Sequence, residues 1–243
     1  MSRRDQGGDV PNVLILGSAP EVITARAWPR APFDVIVAIN NAWQVRPDWD
    51  AQIHAFDFAP ERMPPVATGR IVTEREFVPA QNAFGGFVYA GATMAFTAGY
   101  WALSEYRPRR LAFFGCNMVY ARAGQTHFYG TGSPDPLRAD PTLQSLEAKS
   151  ARLQVLAAMQ GCATVNLSAA ASRLVFPRAD AAAAAQALPA PFDAAMARSA
   201  LARESELGYL VPSGRYWEDL ARFDPAELRA LDCRWLAAVA GSP

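Results

Sequence analysis

The sequence predicts an α/β domain built on a mostly parallel sheet, and three observations carry that expectation. Val13, Leu14, Ile15 and Leu16 run without a polar break into Gly17. Residues 35–39 form a second apolar run that stops at Asn40, and residues 111–114 form a third that stops at Gly115. A strand covered on both faces has no wet side, so its sequence is continuously apolar rather than alternating.

Taken in order, the first run leads into Gly17, Ser18, Ala19 and Pro20. Gly17 tolerates backbone angles that other residues avoid, and Pro20 suits the first position of a helix, expected over residues 21–28. Pro29 and Pro32 bound a loop, and the second strand ends in Asn40 and Asn41. Residues 51–56 predict a third strand ending at Asp57, with His54 as a hydrogen-bonded core residue within it. A fourth strand is placed near residues 70–73. Residues 81–86 read as irregular, with Gly85 and Gly86 forming a flexible loop over a site.

Residues 91–105 predict a helix packed closely on the sheet through Ala92, Ala95, Ala98 and Gly99. The third run, ending at Gly115, is followed by about twenty positions rich in polar and aromatic residues, a length that marks functional loops. Residues 141–159 predict a helix with Gly161 as its stop, and residues 163–166 a further strand closing at Asn166, Leu167 and Ser168. Past Phe176 the chain becomes Ala-rich and reads as several short helices, with Tyr209, Tyr216, Trp217, Phe223 and Trp235 as packing residues. The expected organisation is a domain over residues 1–176 and a helical C-terminal extension over residues 177–243.

The composition limits what the chain does. Of its 243 residues, 51% are hydrophobic and 19% charged, which is a globular balance. Lys and Arg total 23, as do Asp and Glu, so no broad positive field exists for nucleic acid. No apolar run has the length of a membrane span, and residues 1–8 lack the apolar stretch of a secretory signal, so a cytoplasmic location is expected. Cys116, Cys162 and Cys233 are far apart and read as buried free thiols, and no Cys/His zinc cluster can be assembled.

Open α/β sheets bind ligands beyond the carboxyl ends of their strands, which singles out the residues at those tips. The amides after Gly17 and those at residues 90–93, before the helix, are candidate anion sites; the first reads more readily as a plain strand-to-helix turn, and an ordinary turn accounts for Asn40 and Asn41 as well as a ligand does. Asn40, Asn41, Asp57, Asn117, Asn166 and Ser168 are polar side chains at the same edge. His127 titrates near neutral pH and suits a base or a leaving-group acid, and a plain surface histidine fits it as well.

The ordered set Gly17-Ser-Ala-Pro20, Asn40, Gly91-Ala-Thr93, Gly115-Cys-Asn117, His127 and Asn166-Leu-Ser168 resembles the motif order of a sialyltransferase-like superfamily. That superfamily includes bacterial sialyltransferases and 6-hydroxymethylpterin diphosphokinase-like proteins, and the resemblance covers residues 12–176. It implies a Rossmann-like sheet, with helices on both faces, that holds a nucleotide with its phosphates near the Gly17 turn. Ser18 and Ala19 replace the Asn and second Gly of the sialyltransferase motif, and Asn40 matches the Asn that faces the nucleotide. Asn117 stands where the family has an Asp, and the short step to His127 is similar to the diphosphokinase-like branch.

The resemblance implies a glycosyltransferase using a nucleotide-activated sugar as substrate, a CMP-linked sugar being one candidate, with a glycan or small alcohol as acceptor and no permanently bound cofactor; no acidic pair for a divalent ion stands out in the sequence, which fits metal-independent transfer. Gly17, Ser18, Ala19, Pro20, Gly91, Ala92, Thr93 and Gly115 then surround the phosphate. Asn40, Asn117 and Ser168 orient the donor, Asn41, Asp57 and Asn166 complete the nucleotide-binding set, His127 takes the acceptor proton, and Tyr120 and Tyr129 donate to the leaving group. A second expectation is pyrophosphoryl transfer, which needs magnesium and a carboxylate such as Asp57 or Asp135. A third is a nucleotide- or sugar-binding module without catalysis.

Overall fold

The computed structural model describes residues 10–65, 69–120, 124–131 and 140–240. Its strands are β1 (Asn12–Leu16), β2 (Val35–Ile39), β3 (Ala51–Ile53), β4 (Arg70–Val72), β5 (Arg110–Phe114) and β6 (Ala163–Asn166). They form one sheet in the order β4-β3-β2-β1-β5-β6 with every pairing parallel. The chain steps outward from β1 to β4 and then crosses back to lay β5 on the other side of β1. Connections leave β1 and β5 in opposite directions, and a crevice opens above their tips, as in Rossmann-like sheets.

The continuous apolar runs have the predicted cause. Along β1, Val13 and Ile15 enter one core while Leu14 and Leu16 enter the other; Leu111 and Phe113 of β5 part from Ala112 and Phe114 in the same way. The first core is covered by α1 (Glu74–Asn82), α3 (Met94–Tyr106) and α4 (Leu146–Met159), and by the C-terminal α6 (Ala194–Leu207) and α7 (Pro225–Ala240). The second is covered by Val22 and Ala25 of a 3-10 helix (Pro20–Ala27), by Ala42, Val45 and Trp49, and by the short α5 (Ala181–Ala184). A four-residue α2 (Phe87–Ala90) precedes α3. Among the described residues no helix is long and apolar enough to cross a membrane.

Several local expectations are corrected. The segment after Gly17 is a 3-10 helix, because Val22, Ile23 and Thr24 are β-branched and weaken an α-helix. Residues 74–82 form α1 despite Pro79; Thr73 and Glu76 close a capping box at its start. Gln81 is therefore helical, and Gly85 and Gly86 turn beside Arg152 and Leu210 rather than over the strand tips. The helix expected over residues 141–159 is a 3-10 turn (Pro141–Leu143) followed by α4, which Ser145 caps at the Ala148 amide. The C-terminal helices are not all short, since α6 and α7 have 14 and 16 residues. Cys116 and Cys162 are buried free thiols as expected, whereas Cys233 is exposed.

Candidate functional site

Three strand tips converge. Gly17, Ser18 and Ala19 after β1, Ile39 and Asn40 at β2, and Gly115, Cys116 and Asn117 after β5 line one cleft of about 380 Å³. Two glycines allow this closeness. A Cβ on Gly17 would lie 2.3 Å from the Gly115 carbonyl oxygen, and Gly115 itself has φ +70° with Val22 Cβ 2.7 Å from where its own Cβ would stand. Asn40 adopts a left-handed φ of 50°, which Asn tolerates better than most residues and which turns the chain sharply off β2. Its carbonyl accepts from Gln52 Nε2 at 3.2 Å.

The rest of the wall comes from three segments. Ala55, Asp57, Phe58, Ala59 and Arg62 follow β3; Thr93, Met94 and Ala95 open α3; and Tyr120, His127 and Tyr129 follow β5. The Phe128 amide donates to the Ser18 carbonyl at 2.9 Å and stitches the His127 turn to the β1 turn. Within that turn the His127 amide donates to the Gly130 carbonyl at 2.9 Å.

The His127 ring is 7% exposed and lies between two tyrosines, with centroids 5.0 Å from Tyr129 and 5.7 Å from Tyr120. Nδ1 lies 2.8 Å from Thr126 Oγ1. Burial holds the imidazole pKa below its usual 6.5, so the ring is neutral at physiological pH and keeps a lone pair for a proton.

Asn117 is buried, and its Nδ2 donates to Glu21 Oε1, which fixes the amide orientation; Oδ1 has no partner. The next residue, Met118, has φ 53°, an unusual angle for a bulky residue, and its sulfur accepts from the Thr93 hydroxyl at 3.7 Å. This loop is thus tied to both the 3-10 helix after β1 and the start of α3. An Asn117→Asp substitution sets a second carboxylate against Glu21, and the expected loss is about 2 kcal/mol or more. Repulsion raises the folded pKa of one carboxyl above its unfolded value, so the penalty is full at neutral pH. It shrinks as pH falls towards about 4. Urea melts at several pH values measure it, and a penalty independent of pH would rule out the carboxylate pair.

The β1 turn offers less to a phosphate than the sequence suggests. The Gly17, Ala19 and Val22 amides donate to Phe114, Gly115 and Ala19 carbonyls, and Pro20 has no N–H, so at most the Ser18 and Glu21 amides face a ligand. The start of α3 is the better placed alternative. Its first N–H groups have no partner within the helix, although Thr93 Oγ1 already caps the Phe96 amide.

Of the residues singled out from sequence, Gly17, Ser18, Ala19, Asn40, Asp57, Thr93, Gly115, Asn117, Tyr120, His127 and Tyr129 line the cleft. Pro20, Asn41, Gly91, Ala92, Asn166 and Ser168 do not. Ser168 Oγ accepts from the Gly115 amide at 3.2 Å and Asn166 Oδ1 from the Ser168 amide at 3.0 Å, so both side chains brace the β5 and β6 tips from behind. Asp135 lies outside the described residues. His54 Nδ1 is 2.9 Å from the Ala55 carbonyl and does not line the cleft. Sequence reasoning missed the side chains of Glu21, Arg62, Met118 and Thr126, and none of them stands in a sequence pattern that marks a site.

Among the described residues no three His, Cys, Asp or Glu side chains gather as a metal site, and Asp57 is the one carboxylate lining the cleft. Comparisons with protein-family models, with curated proteins and with solved structures find no match to this chain.

Proposed function

We propose that the cleft binds a nucleotide-activated sugar and transfers the sugar to a hydroxyl, with His127 as the base. The observation that carries this reading is the meeting of the Gly17, Asn40 and Gly115 tips with a buried, neutral His127 in a single cleft of nucleotide size. In the step, the acceptor oxygen bonds to the anomeric carbon and its proton passes to the imidazole. The bond from that carbon to the phosphate oxygen breaks, and its electron pair stays on the phosphate.

The supply of anion-binding groups favours a donor with few phosphates. The cleft offers the start of α3, at most two amides of the β1 turn, and Arg62 as its one lining cation among the described residues. A CMP-linked sugar needs only one phosphate held. Magnesium-dependent pyrophosphoryl transfer fits less well, because Asp57 is exposed on the rim with no second carboxylate beside it among the described residues.

The test is a thermal-shift screen with CMP, CDP, UDP, GDP, ADP and ATP, with and without magnesium. A nucleotide at a hundred times its Kd stabilises the fold by about 2.7 kcal/mol, roughly 5 to 10 °C for a chain of this size. The expected responder is a monophosphate whose effect does not depend on magnesium. A response confined to triphosphates with magnesium favours pyrophosphoryl transfer, and no response from any nucleotide refutes both.

A further inference from the structure

We propose that Thr126 is a positioning residue that accepts the Nδ1 hydrogen of His127 and thereby presents a bare Nε2 to the cleft. The inference rests on the reading in which His127 takes a proton, and it adds the device that makes the ring a base rather than a donor. A neutral imidazole carries one hydrogen, and the nitrogen that lacks it is the acceptor; the bond made by the other nitrogen sets which is which. Here that bond is the 2.8 Å contact between Nδ1 and Thr126 Oγ1, and both residues are more than nine-tenths buried.

Among the described residues, the surroundings assign this task to Thr126 rather than to a carboxylate. Tyr120 and Tyr129 present ring faces to the imidazole. The β1 turn brings Ser18 and Ala19, which do not titrate. The β5 tip brings Cys116, whose thiol pKa burial raises, and Asn117, with Glu21 behind it. Among the described residues, Asp57 and Arg62 complete the charged groups that line the cleft. A hydroxyl can donate or accept, so it does not by itself choose the tautomer; the need for a bare Nε2 in the cleft makes Thr126 Oγ1 the acceptor here, and a neutral partner adds no charge that would pull the pKa up. Burial is accordingly the cause of the downward shift. The same contact limits ring rotation, and the two flanking tyrosines hold the plane.

The chain contains only His54 and His127, so imidazole nitrogens are resolvable by nitrogen-15 NMR on the intact protein without any ligand. The His127 signals are those that vanish in His127→Gln. In the wild type at pH 7.5 the expected pattern is a protonated Nδ1 and an unprotonated Nε2. Thr126→Ser keeps that pattern, because a hydroxyl remains. Thr126→Val removes the acceptor, and the ring shifts to a mixture or to the Nε2-protonated form. A wild-type ring protonated on Nε2 overturns the proposal, and so does a Thr126→Val ring indistinguishable from wild type. Should Thr126→Val fail to fold, the wild-type and Thr126→Ser spectra still decide, since both must carry the Nδ1 hydrogen. Nucleotide-induced thermal shifts do not depend on the tautomer, so a binding screen that succeeds beside a wrong tautomer refutes Thr126's role alone. A failed screen beside the expected tautomer refutes the nucleotide reading alone.

Discussion

Replacing Arg152 with methionine is expected to cost about 3 to 5 kcal/mol of stability, the largest loss from any single side chain considered. Arg152 leaves α4 at 1% exposure and joins three other helices. Its Nε and Nη2 donate to Glu204 of α6 at 2.8 and 2.7 Å, Nη1 to the Tyr100 hydroxyl of α3 at 2.8 Å, and Nη2 also to the Phe84 carbonyl at 2.6 Å. The guanidinium lies 5.6 Å from the centroids of both Tyr100 and the α7 residue Trp235, whose Nε1 donates to the same Glu204 carboxylate at 2.9 Å.

Methionine fills most of the volume, so the cost comes chiefly from charge: Glu204 is left buried with an indole N–H and no cation. At this chain length the loss corresponds to a drop in Tm of roughly 6 to 20 °C. A double variant, Arg152→Met with Glu204→Leu, removes both charges and should recover a substantial part of the deficit, because no uncompensated ion remains. Calorimetry or urea unfolding measures both variants. A single variant within 1 kcal/mol of wild type, or a double variant less stable than the single, would show that the pair does not hold α6 to α4.

This interaction also shows where the sequence stops being readable. The strands were legible because a buried parallel strand is a local pattern: four or five apolar residues in a row ending at Gly or Asn, and β1, β2 and β5 end where that pattern ends. Their tips were legible for the same reason, since parallel strands share an edge. What failed depends on partners far along the chain. Nothing near Arg152 announces Glu204, 52 residues away, and nothing near Asn166 shows that β6 lies at the sheet margin. From that place its polar tip braces β5 and does not reach the cleft between β1 and β5. Pro79 masked α1, although Thr73 and Glu76 carry a readable capping signal.

Within the site, the amides after Gly17 were weighed as phosphate donors, an idea that holds only when the turn leaves them unpaired. The sequence cannot show that Gly115 and Phe114 carbonyls take them first. Glu21 escaped notice for a related reason. A carboxylate beside a presumed phosphate site looks misplaced until its hydrogen bond to the Asn117 amide is seen.

His127→Gln separates the transferase from a module that only binds. Gln retains size and polarity but cannot take a proton near neutral pH, so the transfer rate is expected to fall by a factor of about 10² to 10⁴. The thermal shift given by the responding nucleotide should stay the same, because the strand tips and the start of α3 are untouched. A non-catalytic module predicts that same unchanged shift and no turnover in either protein. The pH profile adds a sign that a structural role for His127 would not produce. Burial places the folded pKa below 6.5, and the base must be unprotonated to work. The acid limb of kcat/KM therefore lies below about pH 6.5, with a plateau above it. Stability follows the same direction: below about 6.5 the unfolded chain takes up this proton before the folded one, so the contribution of neutral His127 is present above that pH and is lost as pH falls through the folded pKa. His127→Gln should remove this acid-side loss together with the acid limb. Turnover that survives in His127→Gln with its acid limb in place would transfer the role of base to another group lining the cleft.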